Sequence, residues 1–151
     1  MALLLSALAT PIGKLHLLAD DQILVGASFN PIKRSGIKTV SKLPAISDLI
    51  EDYFDGDLAA INGIKVSQPG GAFSQAAWKA MRKVKGAISY AELAKRAGSP
   101  AAVRAAGTAC ASNAIVLVVP CHRIVKTGGA LGNYAYGLAK KEWLLNHESA
   151  L

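Results

Sequence analysis

Short apolar runs alternate with turn residues over the first thirty positions of the chain. The runs cover residues 3–8, 14–19 and 23–29, and the turn residues of 10–13 and 20–22 separate them. Runs of this length divided by Pro, Gly and Asp are typical of antiparallel strands joined by tight turns. The pattern therefore predicts a small meander sheet.

The next stretch changes from irregular to helical. Residues 30–42 contain proline, glycine and basic residues without a clear period, which predicts a surface connection. An amphipathic helix that covers the sheet and ends at Asp55-Gly56 is then predicted by five apolar residues at helical spacing, namely Ile46, Leu49, Ile50, Tyr53 and Phe54. Residues 63–71 are loop-like again, and we place a domain boundary there, with domains of 1–66 and 67–151.

The second half begins with two predicted helices. Apolar spacing from Phe73 to Val84 predicts the first, which Gly86 ends. Ser89 followed three residues later by Glu92 is a capping box and predicts the start of the second. Gly98 stands where a left-handed cap would end that helix.

A third helix is predicted directly after Gly98, with Ser99 at its N-cap and Pro100 at its first position. It covers residues 101–110, and its junction with the preceding helix predicts a helix-turn-helix. Its residues are small apart from Arg104, its only long polar residue. Such a helix is either packed closely in a core or able to approach a DNA groove with Arg104 projecting from it.

Composition and charge narrow the class of protein. With 151 residues, 52% of them hydrophobic and 18% charged, the chain can bury a core and is not disordered. No apolar run approaches the ~20 residues of a membrane span, and no basic residue precedes the apolar start as in an export signal, so a soluble protein is expected. The net charge of +7 is uneven. Residues 1–70 hold six Lys/Arg and seven Asp/Glu, whereas residues 71–151 hold eleven and three. Charge concentrated in this way suits a polyanion such as nucleic acid and a merely solvated basic face about equally.

Candidate chemistry lies at residues 120–124, Pro-Cys-His-Arg-Ile. The apolar run 114–119 predicts a buried extended segment that leads into it. A thiol is nucleophilic as the thiolate, which a neighbouring imidazole can generate and a nearby cation can stabilise. A buried structural Cys121 beside a core His122 is the alternative, but consecutive Cys, His and Arg favour chemistry. Cys110 is the only other cysteine, so neither a disulfide framework nor a set of zinc ligands is expected. We expect the protein to work in a reducing, cytoplasmic compartment.

At these residues the chain resembles the DNA repair alkyltransferases that act on O6-alkylguanine. Residues 120–124 are similar to the active-site signature of that family, and the similarity extends over nearly the whole chain. It is carried by blocks in the family's order, at residues 10–13, 53–56, 73–78, 89–94, 103–107, 113, 132–134 and 141–148.

The resemblance implies a fold, a reaction and roles for individual residues. The fold would be α/β, with a small RNase-H-like N-terminal domain and a helical C-terminal domain carrying a winged-helix-like helix-turn-helix. Cys121 would accept the alkyl group in a single turnover, His122 would take the thiol proton through a water, and Glu148 would hold the imidazole. Tyr90 would donate a proton to the departing guanine, and Asn113 would brace the turn before the cysteine.

The resemblance also implies a partner and a pocket. The partner would be double-stranded DNA containing O6-alkylguanine, with O4-alkylthymine as a further substrate, and the protein would be a monomer without a cofactor. The residues expected at the DNA, which the helix would enter from the minor groove, are Arg104, Tyr90, Ala102, Ala105, Gly107 and Arg123. The residues expected around the alkyl pocket are Tyr134, Ala135, Tyr136, Val125 and Trp78.

Three features depart from the family pattern. The segment between Trp78 and Tyr90 is about two residues shorter than usual, and the bulky Tyr136 stands where a small residue is usual. No cysteine precedes Cys110, so the zinc site of some relatives is not expected. A DNA-binding protein without transfer activity and a Cys-His hydrolase are the rival functions, of which the first would need no reactive Cys121 and the second no basic DNA-binding module.

Overall fold

The three apolar runs at the start of the chain form a meander, as predicted. In a computed structural model, which describes residues 3–150, they are strands β1 (Leu3–Thr10), β2 (Gly13–Asp20) and β3 (Ile23–Ser28). Each strand pairs antiparallel with the next. Met1 and Ala2, which belong to the predicted strand-like start, lie outside the described residues, as does Leu151.

A fourth strand joins the sheet where the sequence predicted only a connection. Strand β4 (Ile37–Thr39) runs parallel to β1, so that the sheet order is β3-β2-β1-β4. Its three residues are too few and too exposed to leave a periodic signal. Helix α1 (Ile46–Phe54) follows and confirms the predicted amphipathic helix, since Ile50 and Tyr53 on it are fully buried.

The chain divides into two structural units, and the apolar run before the cysteine belongs to the first. That unit contains the residues up to Gln68 together with Ala114–Val118. The returning segment attaches to β3, because the Ala27 amide donates to the Ala114 carbonyl and the Val116 amide donates to the Ala27 carbonyl. From the sequence, these five residues were predicted to lie in the second domain. They belong to the first unit because they pair with β3.

The same run is buried, as predicted, but it is not extended. Only Ile115 makes a strand-like bridge, and the chain then turns at Leu117, whose φ is +73°. The Val118 amide donates to the Val116 carbonyl across that turn. An apolar, β-branched composition indicates that a segment is buried. It does not show whether the buried segment is a strand or a tight turn inside the core.

The second unit comprises Pro69–Asn113 and the chain from Val119 onward. Its described residues, which end at position 150, form four α-helices, a short 3₁₀ helix and one pair of very short strands. The helices are α2 (Ala72–Met81), α3 (Tyr90–Arg96), α4 (Val103–Ala111) and α5 (Leu138–His147). Strands β5 (Ile88–Ser89) and β6 (Ile124–Val125) pair in parallel. No helix among residues 3–150 is long and apolar enough to cross a bilayer.

Local signals at the start and end of α3 behave as predicted. The Ser89 hydroxyl accepts a hydrogen bond from the Glu92 amide at 3.0 Å, and Gly98 has a φ of +93°. The end of α2 differs, because the helix stops at Met81 and the segment to Val84 forms a turn.

The start of α4 corrects the sequence prediction. Ser99 and Pro100 do not open the helix; they belong to a turn closed by the Ala102 amide, which donates to the Ser99 carbonyl at 2.9 Å. The helix begins at Val103, with Ala102 as an N-cap that offers no side-chain hydrogen bond. The αL cap at Gly98 directs the chain into a loop that the Ser-Pro pair fits equally well.

Candidate active site

Cys121 lies in a tight, buried turn of the second unit. It begins a short 3₁₀ helix, Cys121–Arg123, and its side chain is buried. The Cys121 amide donates to the Val119 carbonyl at 2.9 Å, and the Asn113 side-chain amide donates to that same carbonyl at 2.8 Å. Asn113 is also hydrogen-bonded to the Cys121 side chain. Asn113 therefore stands where the sequence analysis expected a brace for the cysteine turn.

His122 and Glu148 form a buried hydrogen-bonded pair. His122 Nε2 lies 2.8 Å from Glu148 Oε2, and both side chains are almost fully inaccessible to solvent. Burial alone would raise the pKa of Glu148, but hydrogen bonds from His122 and Arg123 and the positive charge of Arg123 lower it to about 2. An ionised carboxylate only accepts hydrogen bonds, so Nε2 carries the ring proton.

The other ring nitrogen of His122 is the basic one in the neutral imidazole. His122 Nδ1 is buried and has no hydrogen-bond partner among the described residues. Burial lowers the pKa of His122 more than the neighbouring Glu148 raises it, so the ring is neutral at neutral pH. A buried lone pair without a partner, one residue from a thiol, is suited to accept the thiol proton directly or through a water.

Arg123 holds the carboxylate and does not face solvent. Its Nε donates to Glu148 Oε1 at 2.8 Å and its Nη2 donates to Oε2 at 3.3 Å, while Nη1 donates to the Val84 carbonyl at 3.0 Å. The side chain is buried. Its guanidinium is thus occupied inside the fold, and a contact between Arg123 and DNA stays a prediction.

The electrostatics around Cys121 favour a protonated thiol at rest. Burial raises the pKa of Cys121, whereas the Asn113 hydrogen bond and the positive charge of Lys141 oppose that rise. A base is therefore required to generate the thiolate. Burial and the nearby Cys121 raise the pKa of Cys110 to about 12, so this thiol is protonated too, and no histidine adjoins it in the sequence.

The parallel pairing of β5 with β6 brings Tyr90 to this site. Ile88 and Ser89 pair with Ile124 and Val125, directly after the cysteine turn, and Tyr90 is the next residue along. Burial raises the pKa of Tyr90, and Cys110 and Cys121 add to the rise, so its phenol stays protonated and can donate.

The residues predicted to line the alkyl pocket differ in their contacts and burial. Tyr134 and Tyr136 contact each other edge to face, with ring centroids 5.7 Å apart, and the Tyr134 hydroxyl is buried without a partner among the described residues. Burial raises the pKa of Tyr134 well above its usual value, with a further contribution from Cys121. Ala135 is exposed and Val125 is buried in β6.

Trp78 has a packing role in this unit. Its Nε1 donates to the Ala109 carbonyl at 2.9 Å, which ties α2 to α4. A Cβ atom at Gly70 would lie 2.6 Å from the indole, so the loop before α2 packs directly on the ring. A place for Trp78 in the alkyl pocket stays a prediction.

Helix α4 presents the surface that the sequence analysis assigned to DNA. Arg104 is exposed on its first turn, and Ala102, Ala105 and Gly107 are partly exposed. A Cβ atom at Gly107 would meet no other atom within 4 Å. The backbone of this helix can therefore approach another surface closely, and its contact with a DNA groove stays a prediction.

Sequence analysis assigned no role to Lys141, which the structure places at the site. It is fully buried, and its Nζ donates to the carbonyls of Ile124 and Asn133 at 2.6 and 3.1 Å. A signal was present in the spacing of α5. The polar Lys141 and Glu148 share one helical face with two buried leucines, at the i, i+3, i+4 and i+7 positions Lys141, Leu144, Leu145 and Glu148.

Among the residues that the structure describes, no three His, Cys, Asp or Glu side chains come together as a metal-binding group. The fold and the site together define the class of protein, which has a buried thiol, a neighbouring imidazole whose tautomer a carboxylate fixes, and two helices joined by a turn.

A sequence model described as the DNA-binding domain of 6-O-methylguanine DNA methyltransferase matches residues 72–150. The methylated-DNA–protein-cysteine methyltransferase of Salmonella typhimurium is 34% identical over 168 aligned positions, which cover all of this chain and 98% of that protein. The human protein of the same name is 51% identical over 76 positions, covering 49% of this chain and 37% of its own length.

A solved structure agrees with the sequence matches. The crystal structure of Mycobacterium tuberculosis OGT in complex with DNA superposes with a TM-score of 0.86 at 28% identity, over 97% of this chain and 93% of that one. The chain therefore belongs to the family of methylated-DNA–protein-cysteine methyltransferases. The prediction of an α/β alkyltransferase is confirmed at the level of fold and family.

Proposed function

We propose that this protein repairs double-stranded DNA by moving the alkyl group of O6-alkylguanine onto Cys121, once per molecule. The observation that carries the proposal is the buried, partnerless Nδ1 of His122, whose other nitrogen is fixed by Glu148. That arrangement is a base held in one tautomer beside a thiol.

The transfer is balanced by groups on this chain. His122 takes the thiol proton through a water, the Cys121 sulfur forms a bond to the alkyl carbon, and the bond from that carbon to O6 breaks with its electron pair going to guanine. Tyr90 supplies a proton to the departing base and regains one from the His122 side. The products are a thioether and unmodified guanine, so no oxidant, reductant or cofactor is required.

The base reaches the thiol by leaving the helical stack. Cys121 is buried, and chemistry on a base at such a depth requires an extruded nucleotide. Helix α4 supplies the surface of small residues that lies against the groove, and the exposed Arg104 fills the gap left by the base. The excess of basic residues after position 70 provides affinity for phosphates independent of sequence.

The proposal also covers the range of substrates, the oligomeric state and the cellular compartment. O4-alkylthymine is proposed as a second substrate, because it presents the same alkyl-oxygen bond on a flipped base. The working form is proposed to be a monomer in the cytoplasm, where Cys110 and Cys121 stay reduced.

Intact-mass spectrometry tests the proposal. After incubation with a duplex containing one O6-methylguanine, the protein should gain the mass of a single methylene unit, and peptide mapping should place it on Cys121. Cys121→Ala should abolish the gain and keep DNA affinity, whereas Cys110→Ala, the same change at the other thiol, should keep both. No mass gain, or a methyl group on another residue of the wild-type protein, would overturn the proposal.

A further inference from the structure

Lys141 is a buried cation whose partners are two backbone carbonyls and one aromatic ring. Its Nζ lies 2.6 Å from the Ile124 carbonyl oxygen, 3.1 Å from the Asn133 carbonyl oxygen and 5.9 Å from the centroid of the Tyr90 ring. None of the described carboxylates forms an ion pair with it. A buried ammonium without a counter-ion is costly to keep, so its two hydrogen bonds must serve an arrangement that a neutral residue would not provide.

The two carbonyls stand at the two ends of one loop. Ile124 begins β6, directly after the cysteine turn, and Asn133 precedes Tyr134 of the expected pocket wall. Between them, residues 126–130 are exposed. Two short-range backbone hydrogen bonds stabilise that tip, from the Lys126 amide to the Ala130 carbonyl and from the Gly129 amide to the Lys126 carbonyl.

The composition of the loop makes an external fastening necessary. Gly128, Gly129 and Gly132 all have positive φ, and glycine has the largest conformational entropy to lose on ordering. Gly132 also packs against the Tyr90 hydroxyl, since a Cβ atom there would lie 3.0 Å from it. The loop is therefore held at Tyr90 and Lys141, outside its own backbone.

We propose that Lys141 is a positioning residue for alkyl transfer, whose ammonium joins the Asn133 end of this loop to Ile124, in the strand that follows Cys121, and so holds Tyr134 against the site. This inference rests on the proposed function for its catalytic consequence. The fastening itself is a property of the free protein and is measured without DNA.

The first measurement is hydrogen exchange of the free protein. Lys141→Met keeps the length and the apolar stem and removes both hydrogen bonds. Exchange of the Lys126 and Gly129 amides, which are hydrogen-bonded within the loop tip, should accelerate at least about tenfold, the effect of losing charge-assisted hydrogen bonds. Amides of α2 and α4 should keep their rates. Lys140→Met removes one positive charge from the adjacent helix position and should leave the loop unchanged.

The second measurement is transfer from the O6-methylguanine duplex under saturating protein, with DNA affinity determined separately. Lys141→Met should slow transfer at least about tenfold and leave affinity within twofold of wild type, and Lys140→Met should not slow transfer. If the methionine variant does not fold, Lys141→Gln replaces it in both measurements. Because glutamine keeps an amide donor, the changes in loop exchange and in transfer rate should be smaller.

The outcomes separate the possibilities. Faster loop exchange with unchanged transfer would overturn the positioning role, and slower transfer with unchanged loop exchange would overturn the fastening. Equal acceleration of exchange throughout the unit would mean that Lys141 is only structural, which also contradicts the proposal. If the wild-type protein transfers no methyl group, the proposed function fails while the exchange result still decides whether Lys141 fastens the loop.

Discussion

Glu148 determines which nitrogen of His122 is basic. Its ionised oxygen lies 2.8 Å from Nε2 and can only accept, so the ring proton stays there and Nδ1 keeps its lone pair. Arg123 fixes the carboxylate with two further hydrogen bonds. The imidazole thus enters the reaction with its tautomer and orientation already set.

Replacing Glu148 with Gln should slow alkyl transfer about 100-fold, the lower range for a lost general base. The glutamine amide can donate to Nε2 as well as accept from it, so the tautomer is no longer fixed. DNA affinity should not change, because Glu148 is buried. Glu142→Gln, at an exposed position of the same helix, is the control. A normal single-turnover rate for Glu148→Gln would contradict the assigned role.

Arg104→Ala should slow repair of duplex DNA much more than reaction with the free base O6-benzylguanine. The side chain is exposed on the first turn of α4, and a free base needs no flipping. Single-turnover rates on the two substrates give the comparison. Arg96→Ala, an exposed arginine at the end of α3, should affect both substrates little. Equal losses on both substrates for Arg104→Ala would disprove the wedge.

Tyr136→Gly should speed reaction with O6-benzylguanine without helping O6-methylguanine. The Tyr136 ring contacts Tyr134 edge to face, which places its bulk at the expected pocket wall. Overpacking by extra atoms costs ~1–3 kcal/mol, so the benzyl-to-methyl rate ratio should rise about 5- to 150-fold. A ratio that stays the same in the variant would show that Tyr136 does not narrow the pocket.

The second unit should lose stability in acid in two stages. The pKa of His122 is lowered from its ordinary 6.5, so the unfolded chain binds a proton first as the pH falls below that value. The pKa of Glu148 falls from 4.5 to about 2, so its contribution is full above pH 4.5 and is lost as the pH approaches 2. By linkage, the contribution of Glu148 to the free energy of unfolding amounts to roughly 3 kcal/mol.

Urea unfolding at several pH values measures this dependence. The wild-type free energy of unfolding should fall from pH 6.5 downward, and Glu148→Gln should lack the part between pH 4.5 and 2. Identical slopes for the two proteins over that lower interval would exclude Glu148 as the titrating group.

Sequence patterns predicted those parts of the fold that have local causes. The meander, α1 and the Ser89 capping box follow from alternation, helical spacing and a side chain that competes for a nearby amide. The start of α4 at Val103 did not, because the Ser-Pro pair before it suits a turn as well as an N-cap. Strand β4 has only three residues and left no pattern to detect.

The parts of the candidate site that depend on residue type could be predicted from the sequence, and the parts that depend on packing could not. Consecutive Cys121 and His122 pointed to a nucleophile and its base from the sequence. Burial of Arg123 and Lys141 could not be inferred, because both are charged residues that are rarely buried without partners. Lys141 is held by the Ile124 and Asn133 carbonyls, backbone groups that no motif marks. Arg123 is held by the Val84 carbonyl and by the carboxylate of Glu148, which is distant in the sequence.

The placement of Ala114–Val118 in the first unit affects how the protein can be dissected. A fragment beginning near Pro69 would keep the cysteine and the helices, yet it would also carry this run without the strand β3 that covers it. Four consecutive residues that are almost fully buried in the whole chain, Ile115 to Val118, would then face water. An uncharged β-branched stretch in that situation promotes aggregation. The catalytic half should therefore be poorly soluble when expressed alone and should recover when the first 68 residues are supplied with it.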